Sequence, residues 1–287
     1  MWQIQMVLPP ILTGVFVFLF GLIIGSFLNV CIVRIPEEKS IVMPASACPN
    51  CGAAIRPYDN IPVISYLLLG GKCRGCKTKI SPMYPFVELL NGILYFACYR
   101  EFGLTAEAVK WAIFSSIIIV LVFTDLRERI LPDKVNFTGL FFALILSFAT
   151  LPADGTAEWL SRRIFDFPPP SPVLSFADAL FGAAVGSGLL WLVGEAYFRL
   201  RGREGMGFGD VKMMLMAGAF LGTKRVLLTI LAGSLIGSIL GIAFITAQKK
   251  GSNYELPFGT FLGMAAVLVV FFGTPVLNWY QSLMMLR

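Results

Sequence analysis

The stretch AIFSSIIIVLVFTDLRERILPDK, residues 112–134, decides the fold class. Its first twelve residues carry no charge, and Asp125, Arg127, Glu128 and Arg129 then arrive within five positions. That is the pattern of an apolar helix reaching water. Similar runs recur at about 8–32, 85–99, 108–125, 135–151, 176–198, 226–247 and 257–280, with a shorter one at 210–222. Most are near the roughly 20 residues a helix needs to cross a bilayer. The chain is 57% hydrophobic and 14% charged, with a mean hydropathy of +0.78, far from the composition of a soluble domain. The expected fold is an all-α polytopic membrane protein of about eight transmembrane helices, or seven if 210–222 is a short or re-entrant piece.

The first apolar run is expected to stay attached, because residues 1–10 lack a basic n-region and GSFLNVCIVRIP, 25–36, offers no small-x-small cleavage site. No periodic repeat is seen, and DFPPPSPV, 166–173, reads as an exposed connection. Three segments divide the chain: a first helix at 1–33, a polar loop at 34–84, and a polytopic membrane domain at 85–287.

Basic residues orient these segments. The 34–84 loop carries Arg34, Lys39, Arg56, Lys72, Arg74, Lys77 and Lys79, and the turns at 126–134 and 199–212 add more. With eight spans, 16 basic residues fall on one side and 7 on the other; with seven the division is 17 to 6. Either version puts the loop, Asp125 and Asp210 on the richer side, expected to be cytoplasmic. The net charge of +6 therefore reads as topology and contact with anionic lipid headgroups, with no nucleic-acid partner expected.

Histidine is absent from the whole chain. A Ser-His-Asp triad, a Cys-His pair and an HExxH metal site are thereby excluded. If the chain is a hydrolase, carboxylates lead as acid and base. The cysteines need another explanation.

Cys48-Pro-Asn-Cys51 and Cys73-Arg-Gly-Cys76 are two CxxC pairs separated by 21 residues. Such spacing points to a tetrahedral four-thiolate zinc site, each pair turning tightly to aim two sulfurs at one metal while Gly52 and Gly75 relieve crowding. Disulfides are disfavoured in a reducing compartment, and a redox CxxC would not need to occur twice. Four thiolates leave no open coordination position, so one structural zinc per chain is expected, folding a loop too small and polar to build its own core. Cys31 and Cys98, inside apolar runs, read as buried small hydrophobes.

Asp125 ends one apolar run and Asp210, in EGMGFGDVKMM (204–214), opens another at matching depth. Acids there are costly unless hydrated or paired, and they mark function by default. Two carboxylates on separate elements at one membrane level can share a proton, one acting as base on a water and the other as acid. The simpler reading is helix capping, which suits Asp210 before a helix starting at Val211 better than Asp125 at a helix C-terminus. Gly205, Gly207 and Gly209 are expected to supply unusual backbone angles or close approach. Lys212 lies off the Asp210 face and reads as a headgroup anchor. Asp133 reads as a cap or turn residue, and Glu88 and Glu195 are polar candidates without an assigned role.

Taken together, GSFLNVCIVRIP (25–36), the CxxC pairs flanking IRPYDNIPVISYLLLGGKC (55–73), SPMYPFVELL (81–90), TDLRERILPD (124–133) and GMGFGDVKMM (205–214) resemble the bacterial type IV prepilin peptidases, bifunctional leader peptidases and N-methyltransferases of the GxGD aspartyl protease class. The resemblance runs in order from Gly25 to about Gly222. It implies that Asp125 and Asp210 are the catalytic aspartates and that Cys48, Cys51, Cys73 and Cys76 match the zinc loop of the long, bifunctional members. It implies prepilin and pseudopilin substrates of type IV pili or type II secretion, cleavage after a glycine at the cytoplasmic face of the inner membrane, and methylation of the new N-terminus from S-adenosylmethionine. No glycine-rich nucleotide loop follows a strand, so the cofactor pocket has no sequence assignment.

Two alternatives stand beside this reading: a peptidase whose methyltransferase half is inactive, and a non-enzymatic scaffold or transporter with a zinc docking loop. A transporter is expected to hold polar groups near the midplane on repeated halves, whereas these acids gather at one rim. The 34–84 loop holds seven basic residues and only Glu37, Glu38 and Asp59 as acids, so the loop is expected to bind headgroups or the cofactor and a basic leader to be read elsewhere, at Asp59, Glu128 or Asp133. Oligomeric state is not legible.

Overall fold

The computed structural model describes residues 9–150, 154–164, 169–203, 205–248 and 257–285. Met1–Leu8, Glu204 and part of the proline-rich connection lie outside them. The regular structure of the described residues is helical, apart from two isolated bridges, Ala47 to Ala54 and Lys72 to Lys79. In chain order the helices are α1 (Pro10–Arg34), α2 (Ile64–Leu68), α3 (Met83–Phe102), α4 (Ala106–Glu128), α5 (Asp133–Ser147), α6 (Thr156–Ile164), α7 (Ser171–Arg201), α8 (Phe208–Leu221), α9 (Thr223–Gln248) and α10 (Phe258–Met285). Five of them, α1, α4, α7, α9 and α10, are long and apolar enough to cross a membrane.

Residues 1–116 and 117–287 form two compact units, and α4 supplies residues to both. In the first, α1 and α3 pack backbone to backbone. A Cβ on Gly21 would lie 2.8 Å from the Gly92 Cα, and one on Gly25 would lie 2.7 Å from the Glu88 Cα. Helix pairs in lipid associate through such small residues and interhelical hydrogen bonds. Asn91, fully buried, supplies the latter: its amide donates to the Gly21 carbonyl at 2.7 Å and its oxygen accepts from Ser116 at 2.9 Å.

The second unit is built around α8. This helix has 14 residues, about 21 Å at 1.5 Å per residue, against a hydrocarbon core of about 30 Å. Met213, Met214, Met216, Ala217 and Phe220 are inaccessible, so the helix is apolar because protein surrounds it. Against α7 the fit is closest, where a Cβ on Gly182 would lie 2.1 Å from the Gly218 carbonyl oxygen, and the converse distance is the same. Gly139 of α5 meets Met216, and Gly263 of α10 meets Met213 and Val122 of α4.

The stretch between the apolar runs at 135–151 and 176–198 contains α6. Its helix is anchored from within the unit: Asp178, a fully buried acid of α7, accepts from the backbone amides of Gly155 at 3.0 Å and Ala157 at 2.6 Å. These amides are among the unpaired donors at a helix start. An acid inside an apolar run is here a cap.

Candidate active site and cysteine centre

Asp210 stands in the first turn of α8, whose N-cap is Gly207, with no side-chain capping bond at that end. The expectation of a helix starting at Val211 with Asp210 as its cap is therefore corrected: the helix starts at Phe208 and Asp210 is already inside it. The glycines around it act by close approach. A Cβ on Gly205 would overlap the Tyr197 ring at 2.4 Å, and one on Gly209 would press Leu131 at 3.1 Å. Gly207 has an ordinary extended backbone, φ −70°. Asp210 itself is 7% exposed.

Asp125 lies one turn before the end of α4 and is 5% exposed. Its Oδ2 accepts two hydrogen bonds from one residue, the Thr260 amide at 2.7 Å and the Thr260 hydroxyl at 2.8 Å. Thr260 sits in the first turn of α10, where backbone amides have no partner within their own helix. An acid disfavoured at its own helix C-terminus is thus received at another helix's N-terminus.

Gly259 brings the two acids together. A Cβ built on it would lie 3.1 Å from Asp210 Oδ1 and 3.2 Å from Asp125 Oδ2, so those oxygens are at most 6.3 Å apart, the sum of the two distances. Oxygens within that limit are close enough for one water or one carbonyl oxygen to reach both by hydrogen bonds of about 2.8 Å. The same hypothetical Cβ would lie 2.8 Å from the Leu131 side chain, which gives the acids an apolar wall. Sequence reading missed Gly259, Thr260 and Leu131. The available signal was PFGTFL, 257–262, a glycine and a hydroxyl in the first turn of the last apolar run.

The four loop cysteines also converge. Their sulfurs lie within 4.8 Å of one another, and the Cys48 and Cys76 sulfurs are 3.8 Å apart. Tetrahedral zinc with Zn–S near 2.3 Å places its sulfurs about 3.8 Å apart, so the donor set fits a metal of that kind. All four are free thiols. Both CxxC turns close in the same way: Gly52 N–H donates to the Cys48 carbonyl and Lys77 N–H to the Cys73 carbonyl. The residue after each second cysteine is left-handed, Gly52 at φ +69° and Lys77 at φ +60°. Gly52 thus serves as expected, whereas the position matching it in the second turn is Lys77 and not Gly75. Hydrogen bonds with Thr78, and then with the Asn50 side chain, lower the Cys76 thiol to about 5, whereas Cys51 is raised to about 11. Cys31 and Cys98 are buried apart from this group, as expected.

The other acids have local employment. Lys212 pairs with Asp133 at 2.7 Å, which corrects its reading as a headgroup anchor: it ties α8 to α5. Asp59 takes a bidentate contact from Arg74, at 2.9 Å from Nε and 2.6 Å from Nη2, and this holds its carboxyl below the ordinary range. Glu128 lies 3.7 Å from Arg127. Each acid named for reading a basic leader therefore already faces a cation. Glu195 pairs with Arg199 along α7, and Glu88 accepts the Val63 amide at 2.7 Å.

The Bacterial Peptidase A24 N-terminal domain family matches residues 19–102, and the Type IV leader peptidase family matches residues 112–242. A protein of Myxococcus xanthus named prepilin leader peptidase/N-methyltransferase is 39% identical over 83% of this chain, the match spanning 65% of that relative's length. Proteins of the same name from Pseudomonas aeruginosa and Aeromonas hydrophila are 34% and 32% identical, over 91% and 93% of this chain and equal shares of their own lengths. No solved structure matches the chain. Two carboxylates converging on a glycine, in a chain matched over most of its length by these relatives, mark it as a member of the type IV leader peptidase family.

Proposed function

We propose that this chain cleaves the short basic leader of type IV prepilins and type II secretion pseudopilins at the cytoplasmic face of the inner membrane, then methylates the new N-terminus from S-adenosylmethionine. The observation that carries the peptidase half is the convergence of Asp125 and Asp210 on Gly259. Asp125, whose Oδ2 accepts from Thr260 twice, serves as the carboxylate that draws a proton from water. Asp210 carries the shared proton and donates it toward the scissile carbonyl. The names of the relatives support the methyl transfer, and family membership disfavours a non-enzymatic scaffold.

The catalytic assignment is Asp125 and Asp210, and the metal assignment is one structural zinc on Cys48, Cys51, Cys73 and Cys76, supported by the sulfur spacing. When bound, zinc supplies a covalent clamp on the two turns. We read the functional parts as a first helix at 1–33, a metal loop at 34–84 and the peptidase domain at 85–287. Beyond the five helices long and apolar enough to span, the count of membrane crossings depends on α3, α5 and α8, and the length and burial of α8 support reading it as the short piece. The basic residues of the loop and turns support a cytoplasmic position for the metal loop and both acids.

Incubating the purified chain with a prepilin and labelled S-adenosylmethionine, and assaying shortened and methylated products separately, tests both halves. Shortened, methylated product is expected. A shortened product without label would leave a peptidase alone, and neither product would overturn the reading.

A further inference from the structure

The four-cysteine loop is not polar throughout. Between its two metal turns the chain runs through PYDNIPVISYLLL, residues 57–69, and this hairpin turns its large apolar side chains outward. Leu67 and Leu68 are 70% and 81% exposed, and Ile61 and Ile64 about half. A short segment with that much open apolar surface needs a covering.

Its position says which covering. The Val63 amide is fixed on the Glu88 carboxylate, five residues inside α3. A cleft of about 600 Å³ separates the Pro57–Ile64 side from one face of α1, with Leu19, Ile23, Phe27 and Val30 among its walls. Those residues lie four to fifteen positions before Arg34, the last residue of α1, or about 6–22 Å along the helix at 1.5 Å per residue. Helix α1 is apolar and long enough to span, and Leu19, Ile23 and Phe27 are themselves exposed. The hairpin therefore lies beside the hydrocarbon-depth part of a spanning helix. Basic residues bracket it, with Arg56 before and Lys72 and Arg74 after, the charge that complements anionic headgroups.

We propose that residues 57–69 are inserted in the membrane leaflet next to the metal loop, with a phospholipid acyl chain in the cleft against α1 and its phosphate among the flanking basic residues. The metal turns then stand at headgroup level, and the loop is an interfacial element whose fold is completed by lipid.

The test uses the full chain in phosphatidylethanolamine and phosphatidylglycerol vesicles, with a small fluorescent amino acid introduced at Leu68 or, in a second preparation, at Lys77. Melting in detergent at the unlabelled temperature verifies the fold, and a label that unfolds Leu68 is moved to Leu67. Lipid brominated along its acyl chains is expected to quench the Leu68 probe about twofold or more while aqueous iodide leaves it unchanged, as for a buried interfacial segment. The Lys77 probe is expected to behave oppositely. A Leu68 probe quenched by iodide and untouched by bromolipid overturns the proposal. So does a Leu68 probe that neither bromolipid nor iodide quenches, because the segment would then be covered by protein and not by lipid.

Discussion

Thr260 donates twice to a single oxygen of Asp125, once from its backbone and once from its side chain. The side-chain bond is charge-assisted and buried, a kind that contributes about 1.5–3 kcal/mol. Because this bond holds Asp125 Oδ2 in place, Thr260→Val is expected to lower kcat for leader cleavage by about 10-fold or more through loss of positioning. Thr260→Ser restores the hydroxyl and most of the rate. Steady-state cleavage kinetics on the three proteins check this, and equal loss in the valine and serine variants would point to packing instead.

Asp125→Asn and Asp210→Asn are each expected to abolish cleavage while the protein remains folded in the membrane. Because the two acids act as one unit, the double variant is expected to be no slower than either single one, the non-additivity seen when groups share one step. Single-turnover processing of a prepilin, with melting temperature as the folding control, provides the measurement. Normal processing by either variant removes that residue from the chemistry.

The Gly182 and Gly218 backbones meet so closely that a methyl on either would lie 2.1 Å from the other's carbonyl oxygen. Gly218→Ala must push α7 from α8, and overpacking of this kind costs about 1–3 kcal/mol or more. A lower melting temperature and a displaced Asp210 with reduced activity are expected. Gly188→Ala on the same α7 helix meets nothing within 4 Å and is expected to match the parent in both assays.

Metal analysis is expected to give one zinc per chain. Cys48→Ser or Cys76→Ser lowers that content, while Cys31→Ala and Cys98→Ala leave it unchanged because those thiols are buried away from the cluster. Chelation is expected to make the 34–84 loop protease-sensitive, since a structural site contributes its binding energy to folding. Mass spectrometry of the cleaved loop reads the outcome.

How much of this was legible in the sequence follows from what each feature depends on. Asp125 and the cysteines stood out because a charge in an apolar run and a repeated CxxC are local patterns, readable without knowing the fold. Asp210 was legible as an acid but not as a residue inside its helix: Phe208 and Gly209 begin the turn even though glycine is a poor helix former. Thr260 and Gly259 escaped because their importance arises only when α10 folds its first turn against α4, 135 residues away in the chain. Asp178 escaped for the same reason, its partners at Gly155 and Ala157 lying in a stretch that reads as a loop. The length and burial of α8 show a further limit. Apolar composition marks burial, and neighbouring helices can provide that burial as well as lipid can.

Gly259 carries a consequence of a different kind. A methyl group on residue 259 would stand 3.1 and 3.2 Å from one oxygen of each acid, within reach of both carboxylates, where the proposed mechanism has the reacting water. Gly259→Ala would act as a built-in plug, occupying the seat of the nucleophile while leaving both carboxylates, their helices and the cysteine loop chemically intact. A chain so altered separates capture of a substrate from its cutting, giving a form in which the uncut partner can be trapped and studied. The site is thus defined as much by an atom that is missing from residue 259 as by the oxygens around it.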